Sequence, residues 1–292
     1  MDYYYMKRGS NVPSTPSPLR YPGGKTKLYK YVRDIIQING MIGETYIEPF
    51  AGGAGLALKL LLNNDVKRII INDFDPAIYA FWDCVLHHTE QLCNFVLTVP
   101  LTLDEWDIQH EIYTHQAKHS QIEIAQAVLF FNRTNVSGVI TGGMIGGRNQ
   151  TGKYKIDARF NREKIVQKIK TIASVSNRIQ LYNLDVIDFI DQVLPCYYKV
   201  FINFDPPYVE KGGQLYKNFF TEDDHRNLRN HISKCRRKWI VTYDVCDLVS
   251  DLYSKFNGGL LDIYYSANGA KKAKEYIFFS KNLMIPPDTE II

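Results

Sequence analysis

The chain has 292 residues, of which 45% are hydrophobic and 23% are charged, and these proportions exclude global disorder. A formal net charge of +4 is too small to indicate a nucleic-acid partner by itself. The five cysteines include no Cys-x-x-Cys pair, which argues against a disulfide framework or a zinc site and favours a cytoplasmic setting. No run of apolar residues reaches the length of a membrane span.

The first 17 residues are rich in Ser, Pro and Tyr, a composition that predicts a flexible tail. Arg20-Tyr21-Pro22-Gly23-Gly24-Lys25 then precedes an amphipathic run, which predicts a loop that leads into a helix. Backbone N–H groups and Lys25 in such a loop suit a carboxylate or a phosphate. A phosphate-binding nucleotide loop is an alternative, although its Gly-x-x-x-x-Gly-Lys spacing is absent, and a plain turn is another.

The next unit consists of a strand from residue 45, the turn Glu48-Pro49-Phe50-Ala51-Gly52, and a helix. Glycines in such a turn let a nucleotide-like ligand approach the backbone. A second strand over 68–72 ends at Asp73, whose position suits a ribose diol or, alternatively, a helix cap or turn. The glycine pattern does not fit NAD. A ribose with a short charged tail fits better, and S-adenosylmethionine is such a molecule.

Residues 76–178 change to helical periodicity, with helices predicted over 77–86, 103–118 and 121–131. The histidines here are scattered, so no metal site is predicted. Residues 133–178 hold ten Lys and Arg against two Asp and Glu, an excess larger than that of the whole chain. Their Gly-rich and Asn-rich part favours DNA contacts, and the candidates are Arg133, Asn135, Ser137, Arg148 and Lys153.

The α/β pattern then resumes with a strand over 179–182 and Asp185 behind it, which could accept a hydrogen bond from an adenine amino group or cap the following helix. A later strand spans 239–243. Two final strands, over 260–265 and 276–280, flank a turn that favours a hairpin and adds positive charge. Asn268 and Lys271 of this turn are further DNA-binding candidates.

A chemically unusual segment, Asp205-Pro206-Pro207-Tyr208, follows the apolar residues 200–204. Prolines end the strand and place Asp205 at its carboxyl end, where ligands bind in open α/β sheets. The Asp205 carboxylate and the Pro206 carbonyl can accept both hydrogens of an exocyclic amine while Tyr208 stacks on its ring. Such acceptors favour a pyramidal nitrogen whose lone pair can attack.

Together these motifs make the chain resemble the Dam-type, alpha-class (D12) DNA adenine-N6 methyltransferases over most of residues 18–282. The resemblance rests on Arg20 to Lys25, Glu48 to Gly52, Asp73, Asp205 to Tyr208, Asn132-Arg133, and Ser266 to Gly269 with Lys274-Glu275. Two departures stand out. Ala54 replaces the second glycine of many relatives, and the hairpin after Gly138 lacks the arginine and Tyr-Asn of GATC-specific enzymes, so GATC recognition is not predicted.

The resemblance implies an α/β fold, namely a Rossmann-like S-adenosylmethionine-dependent methyltransferase sheet whose last strand is antiparallel, with an inserted helical target-recognition domain. The predicted parts are a tail over 1–17, a catalytic domain over 18–76 and 179–292, and the DNA-binding insert over 77–178. The resemblance also implies that Arg20 and Arg133 lie near DNA. The predicted cofactor-binding residues are Tyr21, Lys25, Glu48, Phe50, Gly52, Asp73, Asp185 and Asp205.

The predicted reaction is methyl transfer from S-adenosylmethionine to N6 of an adenine flipped out of duplex DNA, with Asp205, Pro206, Pro207 and Tyr208 as catalytic residues. Cytosine N4, an RNA base, a protein glutamine and a catalytically silent DNA-binding role are the alternatives. The expected partners are double-stranded DNA and a cognate restriction endonuclease. The expected oligomeric state is a monomer or a weak dimer.

Overall fold

The computed structural model describes residues 15–21, 23–209, 220–265 and 271–286, without the side chains of residues 262–265 and 271–273. The predicted tail up to residue 14 and two candidate DNA contacts, Asn268 and the side chain of Lys271, lie outside this description. Within it, no helix is both long and apolar enough to cross a lipid bilayer.

One sheet forms the centre of the fold. Its strands are β1 (Thr45–Glu48), β2 (Arg68–Asn72), β3 (Ile179–Tyr182), β4 (Val200–Phe204), β5 (Lys238–Asp244), β6 (Asn257–Tyr265) and β7 (Lys271–Phe279). They lie in the order β3-β2-β1-β4-β5-β7-β6. Strands β1 to β5 are parallel to one another, whereas β7 is antiparallel to β5 and β6. The predicted sheet with an antiparallel last strand is therefore confirmed.

The central strands are buried on both faces, which explains why their sequences are nearly continuous apolar runs. Along β1, Tyr46 faces one core and Ile47 faces the other. Along β4, Phe201 and Ile202 alternate in the same way. The sheet thus needs a layer of helices on each face.

The helices supply these two layers. They are α1 (Tyr29–Ile38), α2 (Gly55–Leu62), α3 (Pro76–His87), α4 (Thr89–Thr98), α5 (Leu103–Thr114), α6 (Gln121–Thr134), α7 (Arg162–Ala173), α8 (Val186–Asp188), α9 (Glu222–Lys234) and α10 (Asp247–Tyr253). Buried residues of α1 to α4, α6 and α7 belong to the larger core, and those of α8, α9 and α10 belong to the smaller one.

The chain between β2 and β3 is helical, as its periodicity predicts. Helix α3 begins at Pro76 behind Asp75, whose side chain accepts from the N–H of Ala77. Helix α5 ends at Thr114, four residues before the predicted end, because a separate 3-10 turn covers Gln116–Lys118. Phe81 of α3 and Val128 of α6 pack in the same core as the sheet. The role of the chain between β2 and β3 as a target-recognition domain stays a prediction.

The sheet order also fixes where a ligand can bind. Strands β1 and β4 are neighbours, but the chain continues from β1 towards β2 on one side and from β4 towards β5 on the other. In open α/β sheets this reversal opens a crevice at the carboxyl ends of the strands. The residues after β1, β2 and β4 therefore meet at one place.

Candidate active site

A cavity of about 830 Å³ occupies this crevice. Its volume is within the range of small-molecule sites. All eight residues predicted to bind the cofactor line it, together with Pro207 of the tetrapeptide: Tyr21, Lys25, Glu48, Phe50, Gly52, Asp73, Asp185 and Asp205. The structure thus brings together residues that are distant in sequence, although their roles towards a ligand stay predictions.

The glycine turn after β1 forms one wall of the cavity. Gly52 has a φ of +45°, and a Cβ built there would lie 2.6 Å from the nearest atom of the Tyr21 ring. The Gly52 N–H donates to Asp73 Oδ2 at 2.8 Å, and its carbonyl accepts from Trp82 Nε1 at 2.8 Å. Glycine is therefore required for both the backbone conformation and the close approach of Tyr21.

Ala54, the departure from many relatives in this turn, adopts the conformation that glycine favours. Its φ is +46° and its side chain is buried. For a residue with a Cβ this left-handed conformation costs about 1 to 2 kcal/mol. The Ala54 N–H donates to the Ala51 carbonyl and closes the turn.

Asp73, at the end of β2, is held by two backbone donors. Its Oδ2 accepts from Gly52, and its Oδ1 accepts from the N–H of Asp75 at 3.0 Å. Burial raises the pKa of Asp73 to about 7, although both N–H donors act against this rise. Asp75, rather than Asp73, caps α3. Asp73 is thus a turn residue whose carboxylate also faces the cavity.

Lys25 and the tetrapeptide meet at the end of β4. The Lys25 Nζ lies 2.7 Å from Asp205 Oδ1 and 2.9 Å from Oδ2. It also donates to the Tyr208 hydroxyl at 2.7 Å and to the Gly23 carbonyl at 3.1 Å, and it lies 3.5 Å from Glu275 Oε2. In this structure the Lys25 ammonium, predicted to bind a ligand carboxylate, contacts the candidate catalytic carboxylate.

Two residues of this cluster were not among the predicted site residues. Thr242 of β5 donates its hydroxyl to Asp205 Oδ1 at 2.9 Å, and Glu275 of β7 is buried beside Lys25. Burial raises the pKa of Glu275, and the charge of Asp205 raises it further, whereas Lys25 lowers it. The Lys274-Glu275 motif was the only sequence signal for Glu275, and Thr242 had none.

Glu48 is a buried carboxyl group at the end of β1. Its Oε1 accepts from the Tyr46 hydroxyl at 3.0 Å and from the Ala57 N–H at 3.2 Å. Burial raises the pKa of Glu48 to about 8, and the charge of Asp205 acts in the same direction. Burial therefore favours the protonated form of Glu48, and Tyr46 of β1 and Ala57 of α2 hold its Oε1 in place.

The far end of the cavity is aromatic. The Phe50 and Phe220 rings lie 6.0 Å apart in an edge-on arrangement, and both line the cavity. Asp185 Oδ1 accepts from the Ile187 N–H at 2.8 Å, so Asp185 caps α8. The cap leaves the other carboxylate oxygen of Asp185 available to the cavity that this residue lines. Apolar walls with a few polar groups are typical of ligand sites.

Tyr208 does not face the cavity as an open stacking surface in this structure. Its side chain is 7% exposed and packs in the smaller core. Its hydroxyl is bound by Lys25, whose Nζ lies 5.1 Å from the ring centroid. Stacking of a base on Tyr208 would therefore require its ring to move.

The predicted DNA contacts divide into two groups. Arg20, Arg133 and Ser137 line the same cavity as Asp205. Arg148 and Lys153 are exposed on the following loop. Arg148 makes a two-pronged ion pair with Asp107, at 2.9 and 2.7 Å.

Asn135 is different because it is fully buried. Its side-chain nitrogen donates to the carbonyls of Val139 and Ile140, and its Oδ1 accepts from Trp106 Nε1 at 2.9 Å. With its donors and acceptor used in this way, Asn135 holds the loop in shape. We assign it this supporting role in place of the predicted DNA contact.

Asn132 connects the amino-terminal motif to the same loop. Its Oδ1 accepts from the Arg20 N–H at 2.7 Å, and its Nδ2 donates to the carbonyls of Arg20 and Gly138 at 3.1 and 3.0 Å. The Asn132-Arg133 pair is part of the family resemblance, which offers no physical reason for the asparagine. The structure supplies one, since a single buried amide fixes two backbone segments.

In the part of the chain that the structure covers, no three His, Cys, Asp or Glu side chains could hold a metal ion together. All five cysteines are free thiols. The cavity lining offers carboxyl, ammonium and guanidinium groups, aromatic rings and backbone.

Comparison with known proteins gives a consistent result. The family model of the D12 class N6 adenine-specific DNA methyltransferases matches residues 21–263. The chain is 22% identical to the type II methyltransferase M.MjaIII of Methanocaldococcus jannaschii over 263 residues, which cover 82% of this chain and 88% of that one. It is 22% identical to the type II methyltransferase M.CviBI of Paramecium bursaria Chlorella virus NC1A over 247 residues, which cover 82% and 86%.

A solved structure gives a more distant likeness. PH1948 from Pyrococcus horikoshii, described as a candidate RNA methyltransferase, superposes with a TM-score of 0.43 at 10% identity, covering 90% of this chain and 86% of that one. A TM-score of 0.43 does not by itself show a shared fold. The fold class rests on the strand order described above.

Proposed function

The chain belongs to the D12 class N6 adenine-specific DNA methyltransferase family, and we propose that it uses S-adenosylmethionine to methylate N6 of an adenine that has left the DNA stack. As a member of this family it is an adenine-specific DNA methyltransferase. The residue assignments rest mainly on the position of Asp205. Its carboxylate sits at the carboxyl end of β4, in the cavity and beside Lys25 and Thr242.

The cavity fits S-adenosylmethionine by its donor set. Asp73 offers carboxylate oxygens to a ribose diol. The Gly52 turn and Tyr21 would flank the cofactor, with Phe50 against its adenine ring and Asp185 near the adenine amino group. Lys25 is the nearest ammonium for the amino-acid carboxylate. When bound, the cofactor supplies an electrophilic methyl group on a sulfonium.

The protein's part in the reaction is to hold the attacking nitrogen. Asp205 and the Pro206 carbonyl accept the two N6 hydrogens of the flipped adenine, which directs the nitrogen lone pair at the methyl group. Transfer of the methyl group to N6 would release S-adenosylhomocysteine, and Asp205, which accepts an N6 hydrogen, would take up the proton that N6 loses. Lys25 and Tyr208 now occupy the Asp205 side of the cavity, so both must shift when the base enters.

Two further assignments follow from the same proposal. The helical chain between β2 and β3 and its loop contact double-stranded DNA, and this role would account for the excess of positive charge between residues 133 and 178. A cognate restriction endonuclease is a proposed partner, because both relatives are named type II methyltransferases. A reducing cytoplasm suits the five free thiols.

The decisive experiment combines unmethylated genomic DNA, S-adenosylmethionine and purified protein, followed by nucleoside mass spectrometry and modification-sensitive sequencing. We expect N6-methyladenine in one sequence context. Asp205→Ala should lower the rate by at least about 10²-fold, the usual loss on removing one positioned catalytic group. The exposed Asp251→Ala serves as the control and should keep full activity.

Two outcomes would overturn the proposal. N4-methylcytosine alone would reject adenine as the target, and full activity of Asp205→Ala would reject its assigned role. Thermal unfolding of Asp205→Ala, compared with the wild type, tests that the fold is intact.

A further inference from the structure

Five cationic side chains form one cluster, and three of them line the cavity. Arg20, Arg133 and Lys168 line the cavity, and Arg159 and Lys164 are their charged neighbours. The chain at residues 17–20 brings them together. Lys168 Nζ donates to the Ser17 carbonyl at 2.9 Å, and Arg133 donates to the Pro18 carbonyl.

The described part of the chain places no carboxylate partner beside the cluster. Over the described residues, no carboxylate lies within ion-pair distance of any of its five members, whereas Arg148 pairs with Asp107 and Lys170 pairs with Glu90. Burial lowers the pKa of Lys168 to about 8, and the charges of Arg133 and Lys164 contribute. Like charges left together in this way destabilise a fold unless a ligand neutralises them.

Two hydrogen-bond donors in the cluster also lack a hydrogen-bond partner among the described residues. Arg20 Nη1 and Arg133 Nε are shielded from solvent and have no hydrogen-bond partner in the described structure. Buried donors are normally paired, so such atoms call for an explanation. An anion with several acceptor oxygens at this end of the cavity would satisfy them, and phosphate groups match arginine in geometry.

The cluster is too extensive for the cofactor. The amino-acid end of S-adenosylmethionine has one carboxylate, which one ammonium can balance, and Lys25 already lies at the Asp205 end. The cluster instead runs from the cavity to the exposed Arg159 and Lys164 of the segment leading into α7 and of α7 itself. A polyanion that crosses the cavity mouth fits this distribution.

We propose that Arg20, Arg133, Arg159, Lys164 and Lys168 bind consecutive phosphodiester groups of the DNA strand beside the flipped adenosine. This inference rests on the proposed function. It assigns Arg159, Lys164 and Lys168, which the sequence did not single out, as phosphate-binding residues, and it gives Arg20 and Arg133 the same ligand. These residues position the DNA backbone and do not contact the reacting atoms.

The test measures DNA affinity by fluorescence anisotropy at a series of salt concentrations. Each phosphate contact adds about 1 to the slope of log affinity against log salt. We expect Lys168→Ala and Arg159→Ala each to lower the slope by about 1, and to weaken binding about tenfold or more, the effect of losing a charge-assisted hydrogen bond. Lys168→Arg keeps the charge and should keep the slope.

Lys170→Ala is the matched control. Lys170 lies on the same helix, carries the same charge and pairs with Glu90 outside the cavity, so its removal should leave the slope unchanged. An equal loss of slope in Lys170→Ala would mean that only net charge matters and would overturn the proposal. A lowered melting temperature with an unchanged slope would show that Lys168 only supports the Ser17 segment, and would also overturn it.

A second measurement locates the contact. Duplexes with one neutral methylphosphonate near the target adenine should weaken wild-type binding at particular positions, and Lys168→Ala should be insensitive at one of them. Equal sensitivity of both proteins at every position would contradict the proposed site. Failure of this inference is distinguishable from failure of the proposed function, because wild-type methylation of adenine is measured without any of these variants.

Discussion

Lys25 is the residue on which the charges of the site converge. Its buried ammonium contacts Asp205 and lies near Glu275. An unpaired buried charge is costly, so one ammonium shared between carboxyl groups lets Asp205 stay in the site before any ligand arrives. The contact with Lys25 also occupies the Asp205 carboxylate oxygens that the proposed reaction needs. Ligand entry must therefore be coupled to movement of the Lys25 side chain.

Gly52 provides a test of the turn at the residue scale. Gly52→Ala would place a Cβ 2.6 Å from the Tyr21 ring, so the ring must move out of the cavity wall. We expect a loss of S-adenosylmethionine affinity, measured by calorimetric titration, beyond the strain of about 1 to 2 kcal/mol that any left-handed alanine causes.

Gly43→Ala separates these two effects. Gly43 has a φ of +77° and nothing within 4 Å of its added Cβ. The substitution should therefore lower stability by a similar strain and leave cofactor affinity intact. Equal cofactor affinities in the Gly52 and Gly43 variants would show that the Tyr21 ring does not shape the cofactor site.

Residues differ in how far the sequence could predict them. Asp73 and Asp205 directly follow apolar strands and Gly52 lies in the turn after another strand, so a local pattern places them at one edge of the sheet. Thr242 enters the site because β5 pairs with β4, and Glu275 enters it because β7 pairs with β5. That arrangement depends on tertiary packing, and no spacing in the sequence encodes it.

At the scale of elements, the segment around Arg20 and the loop after α6 behave as one unit. Asn132 bonds to both, and Gly138 packs on the Arg20 backbone. A Cβ at Gly138 would lie 2.2 Å from the Arg20 carbonyl oxygen. The segment around Arg20 and the loop after α6 are therefore held together by direct contacts, so a shift of one should move the other.

Gly138→Ala should break this link. Because the obstructing atom belongs to the backbone, one of the two segments must shift. We expect weaker DNA binding and a lower melting temperature, measured by anisotropy and thermal unfolding. Gly147→Ala, in the same loop, is the control, since Gly147 has a φ of +67° and open space around it. If both variants bind DNA equally well, the packing of Gly138 on Arg20 is unimportant for the loop.

Helices were predictable in position, but their ends and contacts were not. The apolar periodicity of 103–118 continues past Thr114, yet the chain leaves the helix there and His119 bonds back to Glu111. The composition of residues 133–178 indicated DNA binding. It could not show that Asn135 is buried or that Arg148 is paired, because both facts depend on Trp106 and Asp107 of α5.

At the scale of the whole molecule, Glu48 makes stability depend on pH. Its folded pKa of about 8 lies above the ordinary value of 4.5 because the group is buried. Between these values the unfolded chain has released the proton and the folded chain has kept it. The free energy of unfolding therefore falls as pH rises, by up to about 1.4 kcal/mol per pH unit.

Glu48→Gln removes this titration while its amide oxygen can still accept from Tyr46 and Ala57. We expect the variant to match the wild type near pH 4 and to become more stable than it as pH rises towards 8, measured by chemical denaturation. Glu44→Gln should show the opposite trend, because hydrogen bonds from Lys199 and Lys67 lower the pKa of Glu44. A pH-independent difference between Glu48→Gln and wild type would contradict the assignment.

The position of β7 has a consequence for biosynthesis. Lys25, Asp205 and Glu275 meet in one site, and β6 pairs only with β7 among the described strands. A ribosome releases these residues in order, so a nascent chain that has exposed Asp205 still lacks Glu275 and the strand between β5 and β6. A chain that ends before residue 275 therefore lacks the Glu275 carboxyl group beside Lys25 and the pairing of β7 with β5.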